Sequence, residues 1–148
     1  MILVDKMRHR CHLYSDGRLV RTFDADLGPH WLGTKETSGD RRTPEGIYRV
    51  SEKKAGASTK YYRALLLNYP NDEDRRRFAD GKRAGRIARS ERIGGLIEIH
   101  GDGGSGYDWT LGCVALRNDD IADLFERAAV GTPVIIVGKL PDDLGRKD

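Results

Sequence analysis

Two residues with reactive side chains lie close together in one stretch of the chain, Leu96 to Leu116. His100 ends a short apolar run, and Cys113 follows Gly112. The thiolate is the nucleophilic form of cysteine, and a neighbouring imidazole both lowers the thiol pKa and carries protons. A cysteine alone is more often a buried apolar residue, and a histidine alone is more often structural. The two together, each with a glycine beside it, favour nucleophilic catalysis with Cys113 as nucleophile and His100 as general base.

The elements around this pair are predicted to be two short strands joined by a glycine-rich loop. Leu96 to Ile99 alternates as a strand does, and Cys113 to Leu116 is a second apolar run. If the two runs pair, His100 and Cys113 meet at the same end of one sheet. Amides near Gly112 could then stabilise a tetrahedral oxyanion, because fixed N–H donors act strongly in such sites.

Other polar residues of the stretch are predicted to shape this site. Thr110 and Gly112 are expected to form the oxyanion pocket. Asp108 either binds a substrate ammonium or braces the loop, and Trp109 lies beside it. Tyr69, farther upstream, either approaches the substrate groove or packs in the core.

These residues resemble the motifs of the L,D-transpeptidase catalytic domain, the YkuD family. The matching segments are Ile99-His100-Gly101, Thr110 to Cys113, and Gly39 to Tyr48, which is similar to a GDxxTPxGxY segment. The resemblance extends from the first strand to about Val137, and it is closest to a subgroup with Asp-Trp-Thr before Gly-Cys and Val-Ala-Leu around it. Leu111 and Ala115 stand where many members have histidine and arginine. The missing arginine removes a bidentate partner for a substrate carboxylate.

The resemblance implies acyl transfer on peptidoglycan. Cys113 would attack the third residue of a tetrapeptide stem, D-alanine would leave, and the amine of a second stem would resolve the thioester into a cross-link. His100 would be the base, oriented by the backbone carbonyl of Gly101, with Glu98 a second candidate for that role. The resemblance also implies covalent inhibition by carbapenems and no metal or organic cofactor.

Three alternatives remain open at this point. Water in place of the amine would make the protein an L,D-carboxypeptidase or a hydrolase with the same residues. The departures at Leu111 and Ala115 would suit a cell-wall-binding module without turnover. A zinc hydrolase using His100 and Cys113 is the third alternative, although the sequence has no ligand pair at helix or knuckle spacing.

Length and composition set limits on partners and location. The chain has 148 residues, the size of one domain, and a net charge of only +3, which argues against a dedicated nucleic-acid-binding protein. Two cysteines do not make a disulfide framework. The sequence shows no membrane-spanning run and no secretory signal. The resemblance nevertheless implies the cell envelope or periplasm, with a leader removed or an unusual route of export. We expect a monomer.

The pattern of the whole chain predicts a mainly β (α+β) single domain over residues 1–140, a small sandwich or curved sheet with one C-terminal helix. Residues 1–27 are predicted to form a hairpin, with strands also at 47–50, 61–69 and 133–137. The charged segment 71–92 is predicted to form one or two short helices, either a substrate flap beside the site or a solvated insert. Asn118 is expected to cap the C-terminal helix. His30 and Trp31 lie in a loop that could form the rim of the substrate groove. Residues 141–148 are predicted to be a polar tail.

Overall fold

The strands of the computed structural model, which describes residues 1–141, form one mixed sheet of eight strands. They are β1 (Ile2–Asp5), β2 (Arg10–Ser15), β3 (Arg18–Asp24), β4 (Gly46–Ala55), β5 (Arg63–Leu67), β6 (Glu98–His100), β7 (Val114–Ala115) and β8 (Pro133–Val137). Two α-helices, α1 (Asp72–Arg83) and α2 (Asn118–Arg127), complete the described part, with a 3-10 turn at Gly56–Ser58. The predicted tail lies outside the described residues except for Pro141.

The sheet curls until its two edges meet. Its order is β3-β2-β1-β8-β4-β5-β6-β7, with parallel pairing at β1–β8 and β6–β7 and antiparallel pairing elsewhere. Asp26, just after β3, forms an isolated bridge to Ala115 in β7. This bridge joins the two edges of the sheet at one residue pair, which leaves less of their backbone exposed. The predicted mainly β fold with a packed helix is confirmed.

The core fills the inside of this curl and the space under α2. Ile121 and Leu124 of α2 are fully buried, as their helical spacing predicted. Ala128 is 3% exposed, and Phe125 packs at the edge of the cluster. The largest buried side chains come from strands across the whole sheet and include Ile2, Phe23, Tyr48, Leu65, Ile99 and Ile136.

The N-terminal hairpin is partly as predicted. Its turn at Asp16-Gly17 has both residues at positive φ, the geometry that suits a two-residue hairpin loop. The strand before it is not continuous, because residues 6–9 turn and separate β1 from β2. Met7, predicted to share a strand face with Cys11, is half exposed there, whereas Cys11 is fully buried. At the start of this break, the buried Lys6 ammonium donates to the carbonyls of Gly33 and Thr43.

The charged segment forms one helix, which packs on the body through its first turn. Asn71 caps α1 by accepting from the Asp74 N–H, while Asp74 returns a bond to the Asn71 N–H. The Asp74 carboxylate also accepts from the Tyr48 hydroxyl at 3.0 Å and pairs with Arg77 at 2.7 Å. These contacts anchor the helix to β4.

Candidate active site

His100 lies at the end of β6 and has its imidazole fixed on two sides. Its ring stacks on Tyr61 with centroids 4.0 Å apart, and Trp109 meets it edge-on at 5.9 Å. Nδ1 lies 2.7 Å from the carbonyl oxygen of Gly101. Because a carbonyl only accepts, Nδ1 carries the proton and Nε2 presents a lone pair. This is the tautomer that a general base acting through Nε2 requires.

Burial keeps this imidazole neutral. Loss of hydration lowers the pKa of His100 below its ordinary value, and this effect outweighs the hydrogen bond to Gly101 and the nearby Glu98 carboxylate, both of which raise it. The ring therefore stays unprotonated at neutral pH.

Cys113 lies just before β7 with its thiol half-buried at the base of a cleft. Sγ accepts the Glu98 N–H at 3.3 Å and faces the Leu96 carbonyl at 3.4 Å, to which the thiol donates. Burial raises the pKa of Cys113 to about 11, although the Glu98 N–H opposes the shift. The resting pair is therefore a thiol and a neutral imidazole, and proton transfer has to accompany attack.

The two side chains line the same cleft, which has a volume of about 510 Å³. In the parallel pair, Ile99 lies opposite Val114 and His100 opposite Ala115. Cys113 is thus one residue before the start of β7, and His100 is at the end of β6. The prediction that they meet at the same end of paired strands is corrected: they are offset along the pair, and β6 is so short that both still reach one cleft. Leu96, predicted to begin the strand, is instead 72% exposed, with φ +53°.

The turn after His100 depends on glycine. A Cβ on Gly101 would lie 2.5 Å from the Asn118 side-chain oxygen and 2.6 Å from the Tyr61 carbonyl oxygen, closer than real Cβ atoms come. Asn118, predicted as the cap of α2, accepts from the Asp102 N–H at 2.7 Å instead, and α2 has no side-chain cap. That prediction was wrong because the asparagine side chain bonds to the loop that follows His100.

The turn before Cys113 is closed by Thr110 and by the TPxG segment. The buried Thr110 hydroxyl donates to the Cys113 carbonyl at 2.7 Å and accepts the Gly112 N–H at 3.2 Å. Thr43 donates to the Gly112 carbonyl at 2.8 Å. Gly112 has φ +132°, and a Cβ there would lie 2.6 Å from the Arg42 carbonyl oxygen. These contacts fix the backbone around Cys113.

This turn also affects the predicted oxyanion pocket. The Gly112 N–H is already engaged by Thr110, whereas the Cys113 N–H donates to none of the described residues. The amide of Cys113 is therefore the better placed donor for a developing oxyanion.

Two residues predicted for the substrate groove lie elsewhere. Asp108 accepts the Leu27 N–H at 2.9 Å, contacts His9 Nε2 at 2.9 Å and lines a separate cavity, so it braces the loop. Tyr69 is buried, and its hydroxyl donates to the Ile93 carbonyl. Trp109 and Thr110 do line the cleft.

The proposed rim and flap are also absent from the cleft lining. His30 contacts the Asp40 carbonyl and Trp31 packs edge-on against His9. Within 71–92, no residue lines the cleft; residues 94–98 do so instead.

The cleft carries more positive than negative charge. Lys35, Lys54 and Lys60 line it, against one carboxylate, Glu98. Lys54 pairs with Glu98 at 3.1 Å, and the buried Lys35 pairs with Asp40. Lys60 is exposed, lies over the Tyr61 ring at 5.2 Å and forms no ion pair with a described residue. An anionic group entering the cleft would meet this ammonium first.

Two features of residues 1–141 bear on the alternatives. Neither α1 nor α2 has the length and apolar character needed to cross a bilayer. No three histidine, cysteine, aspartate or glutamate side chains of this part converge as ligands of one metal ion. The zinc alternative therefore has no ligand set among these residues.

Comparison with known proteins gives a consistent result. A family model described as the YkuD L,D-transpeptidase catalytic domain matches residues 1–136. YafK of Escherichia coli K12, provisionally named an L,D-transpeptidase, is 32% identical over 95 residues, which are 64% of this chain and 31% of YafK. Among solved structures, the helical cell shape determining protein Pgp2 from Campylobacter jejuni is 26% identical with a TM-score of 0.69, over 95% of this chain and 48% of Pgp2.

A more distant structure shares the fold alone. The L,D-transpeptidase LdtMt1 in complex with imipenem is 18% identical with a TM-score of 0.55, over 92% of this chain and 57% of that chain. The chain thus spans about a third of its curated relative and about half of Pgp2.

Proposed function

Since the chain belongs to the L,D-transpeptidase (YkuD) catalytic-domain family, we propose that it transfers acyl groups of peptidoglycan stem peptides through a thioester on Cys113. The observation that carries the proposal is that Cys113 and His100 line one cleft, with Nδ1 of His100 held by the Gly101 carbonyl. A nucleophile with a base whose other nitrogen is held by a third group is the general arrangement of such catalysts.

In the first half-reaction, Sγ attacks the carbonyl carbon of the third stem residue while its proton passes to Nε2 of His100. The oxyanion forms at the amide of Cys113. The carbon–nitrogen bond to D-alanine then breaks, and His100 returns the proton to the leaving amine. The product is a thioester on Cys113 and free D-alanine.

In the second half-reaction, the amine of another stem attacks the thioester and loses its proton through His100 to the departing sulfur. An amide cross-link forms and the thiol is regenerated. Water in place of the amine would release a shortened stem, so a carboxypeptidase or hydrolase outcome uses the same residues. The site of action would be the cell envelope, where stem peptides occur.

The charge of the cleft supports a carboxylate-bearing substrate. Ala115 is fully buried, so the arginine common at this position is absent from the cleft. Among the residues that line the cleft, Lys60 could take over the role of this arginine, because its ammonium has no ion-pair partner among the described residues. A lysine makes a weaker and less directional contact than a bidentate arginine.

Product analysis on purified disaccharide tetrapeptides tests this function. Cross-linked dimers with release of D-alanine support transpeptidation, and tripeptides alone support the carboxypeptidase. A covalent imipenem adduct that appears by intact-mass analysis on wild type and is absent from Cys113→Ala supports the nucleophile. If wild type forms no adduct and no product, the proposal fails and the non-catalytic alternative is favoured.

A further inference from the structure

Asp26 is the residue that closes the curled sheet, and it does so next to the nucleophile. Its N–H donates to the Ala115 carbonyl, and its carbonyl accepts the Ala115 N–H, both at 2.9 Å. Ala115 lies two residues after Cys113 and opposite His100 in the β6–β7 pair. The backbone of Asp26 therefore holds the strand that follows Cys113.

The side chain of Asp26 accepts hydrogen bonds from several donors of the glycine-rich loop between His100 and Cys113. Its Oδ2 accepts from the Gly104 N–H at 3.1 Å, the Ser105 N–H at 3.0 Å and the Ser105 hydroxyl at 2.7 Å. Oδ1 accepts from the Gly106 N–H at 3.3 Å. Partial burial disfavours the charged form, yet these donors together lower the pKa of Asp26, so it is ionised at neutral pH.

A fifth donor links this carboxylate to the catalytic base. The Trp109 indole N–H donates to Oδ2 at 3.0 Å, and the same indole ring meets His100 edge-on and lies 6.2 Å from Tyr61. Trp109 thus packs against the imidazole, and its indole N–H is held by a charge-assisted hydrogen bond to Asp26, which does not line the cleft. Asp26 itself lines the separate cavity behind the loop.

We propose that Asp26 is a positioning residue for the base: its carboxylate fixes the loop so that Trp109 packs against His100 and keeps the imidazole oriented and dehydrated. The proposal rests on the catalytic roles proposed above for His100 and Cys113. It goes beyond closure of the sheet, because closure uses only the backbone of Asp26. An asparagine keeps that backbone and the side-chain shape but presents an amide where the loop donors need a charged acceptor.

The test compares Asp26→Asn with wild type by two readouts. Acylation by saturating imipenem, followed by intact-mass analysis, should slow by roughly tenfold to 10²-fold, because a small displacement of a catalytic group has effects of that size. The pKa of His100, measured by NMR titration, should rise toward about 6.5 as water reaches the ring. A purely structural role would lower thermal stability and leave the His100 titration as in wild type.

Two further variants separate the outcomes. Asp24→Asn makes the same change two residues earlier, at an exposed carboxylate paired with Arg10, and should leave both readouts unchanged. Trp109→Phe keeps a ring but removes the indole donor; it should also raise the His100 pKa, and combined with Asp26→Asn it should add little. Additive effects, or an unchanged His100 titration in both single variants, would overturn the proposal.

The NMR readout also separates this inference from the proposed function. If wild type forms no imipenem adduct, the catalytic proposal fails, while the effect of Asp26 on His100 is still measured. If Asp26→Asn does not fold, Trp109→Phe alone decides: a His100 pKa equal to that of wild type contradicts the link.

Discussion

The two cysteines lie in regions that differ in access more than in acidity. Cys11 is fully buried in β2, and burial alone raises its pKa to about 12. The pKa of Cys113 is raised to about 11, mainly for the same reason, but its side chain lines a cleft that His100 also lines, and its sulfur accepts a backbone N–H. The resting pKa therefore does not distinguish Cys113, the proposed nucleophile, from Cys11. What distinguishes Cys113 is that substrate can reach it and that it shares the cleft with a base that can take its proton.

Substituting each cysteine in turn should give the largest difference in imipenem labelling between two variants. Cys113→Ala should lose all covalent labelling by imipenem, because no other described thiol reaches the cleft. Cys11→Ser should keep labelling but lose roughly 1–3 kcal/mol of unfolding free energy, since its hydroxyl is placed in an apolar interior. Intact-mass analysis and thermal melts of both variants measure this. Labelling of Cys113→Ala at the wild-type rate would assign the chemistry to another group.

Removing the base should have the next largest effect. His100→Ala should slow acylation by about 10²–10⁴-fold, the usual contribution of general base catalysis. His100→Gln is the matched control, because it preserves polarity and much of the volume without a basic nitrogen, and it should be equally slow. Both variants should keep the far-UV circular dichroism of wild type. Acylation of either variant at the wild-type rate would remove His100 from the mechanism.

The sequence predicted that Cys113 and His100 share one site because its signals are local, and both residues line one cleft. A cysteine after a glycine at the start of an apolar run, and a histidine before a glycine at the end of another, indicate a reactive pair and tight turns. The same holds for α2, whose buried stripe follows from its own spacing. What the sequence missed are contacts between distant segments. Tyr61 was taken only as the start of a strand, yet its ring stacks on His100 and its carbonyl accepts the Gly101 N–H.

Asn118 shows why one such contact was misjudged. An asparagine before two aspartates is typical of a helix cap, but Asn118 bonds a loop that only the folded sheet brings near it. For Asp108 the sequence left ligand binding and bracing of the loop both open, and its contacts with Leu27 and His9 favour bracing. At Asn118, local propensity was overridden by a tertiary contact.

The response to pH sharpens the comparison of the two thiols. Iodoacetamide labelling of Cys113 should rise about tenfold per pH unit between pH 7 and 9 and level off only near pH 11, because thiolate is the reactive form. Cys11 should stay unlabelled in the folded protein, and Cys113→Ala is the control that shows this. Labelling that levels off below pH 8 would indicate a thiolate–imidazolium pair at rest.

Acylation by imipenem should follow a different pH profile from alkylation. The lowered pKa of His100 means that more than half of the base is deprotonated at pH 6.5, so the acid limb of acylation should be centred below that pH. In His100→Ala the acylation rate should no longer level off above this acid limb. It should instead keep rising with pH, as alkylation does. A wild-type acid limb centred above pH 6.5 would contradict the burial of the imidazole.

The smallest expected effect is that of Asn118, which holds the backbone just after the base and touches no reacting atom. Asn118→Ala removes the acceptor for the Asp102 N–H and should slow acylation several-fold, in line with about 1 kcal/mol for a single hydrogen bond. Asn118→Asp keeps an acceptor at the same position and should retain most of the rate. Asn68→Ala, which removes an exposed bond to the Arg49 N–H far from the cleft, provides the matched control. If Asn118→Ala and Asn68→Ala acylate equally fast, the contact of Asn118 serves stability alone, and the base is held well enough by Gly101, Tyr61 and Trp109.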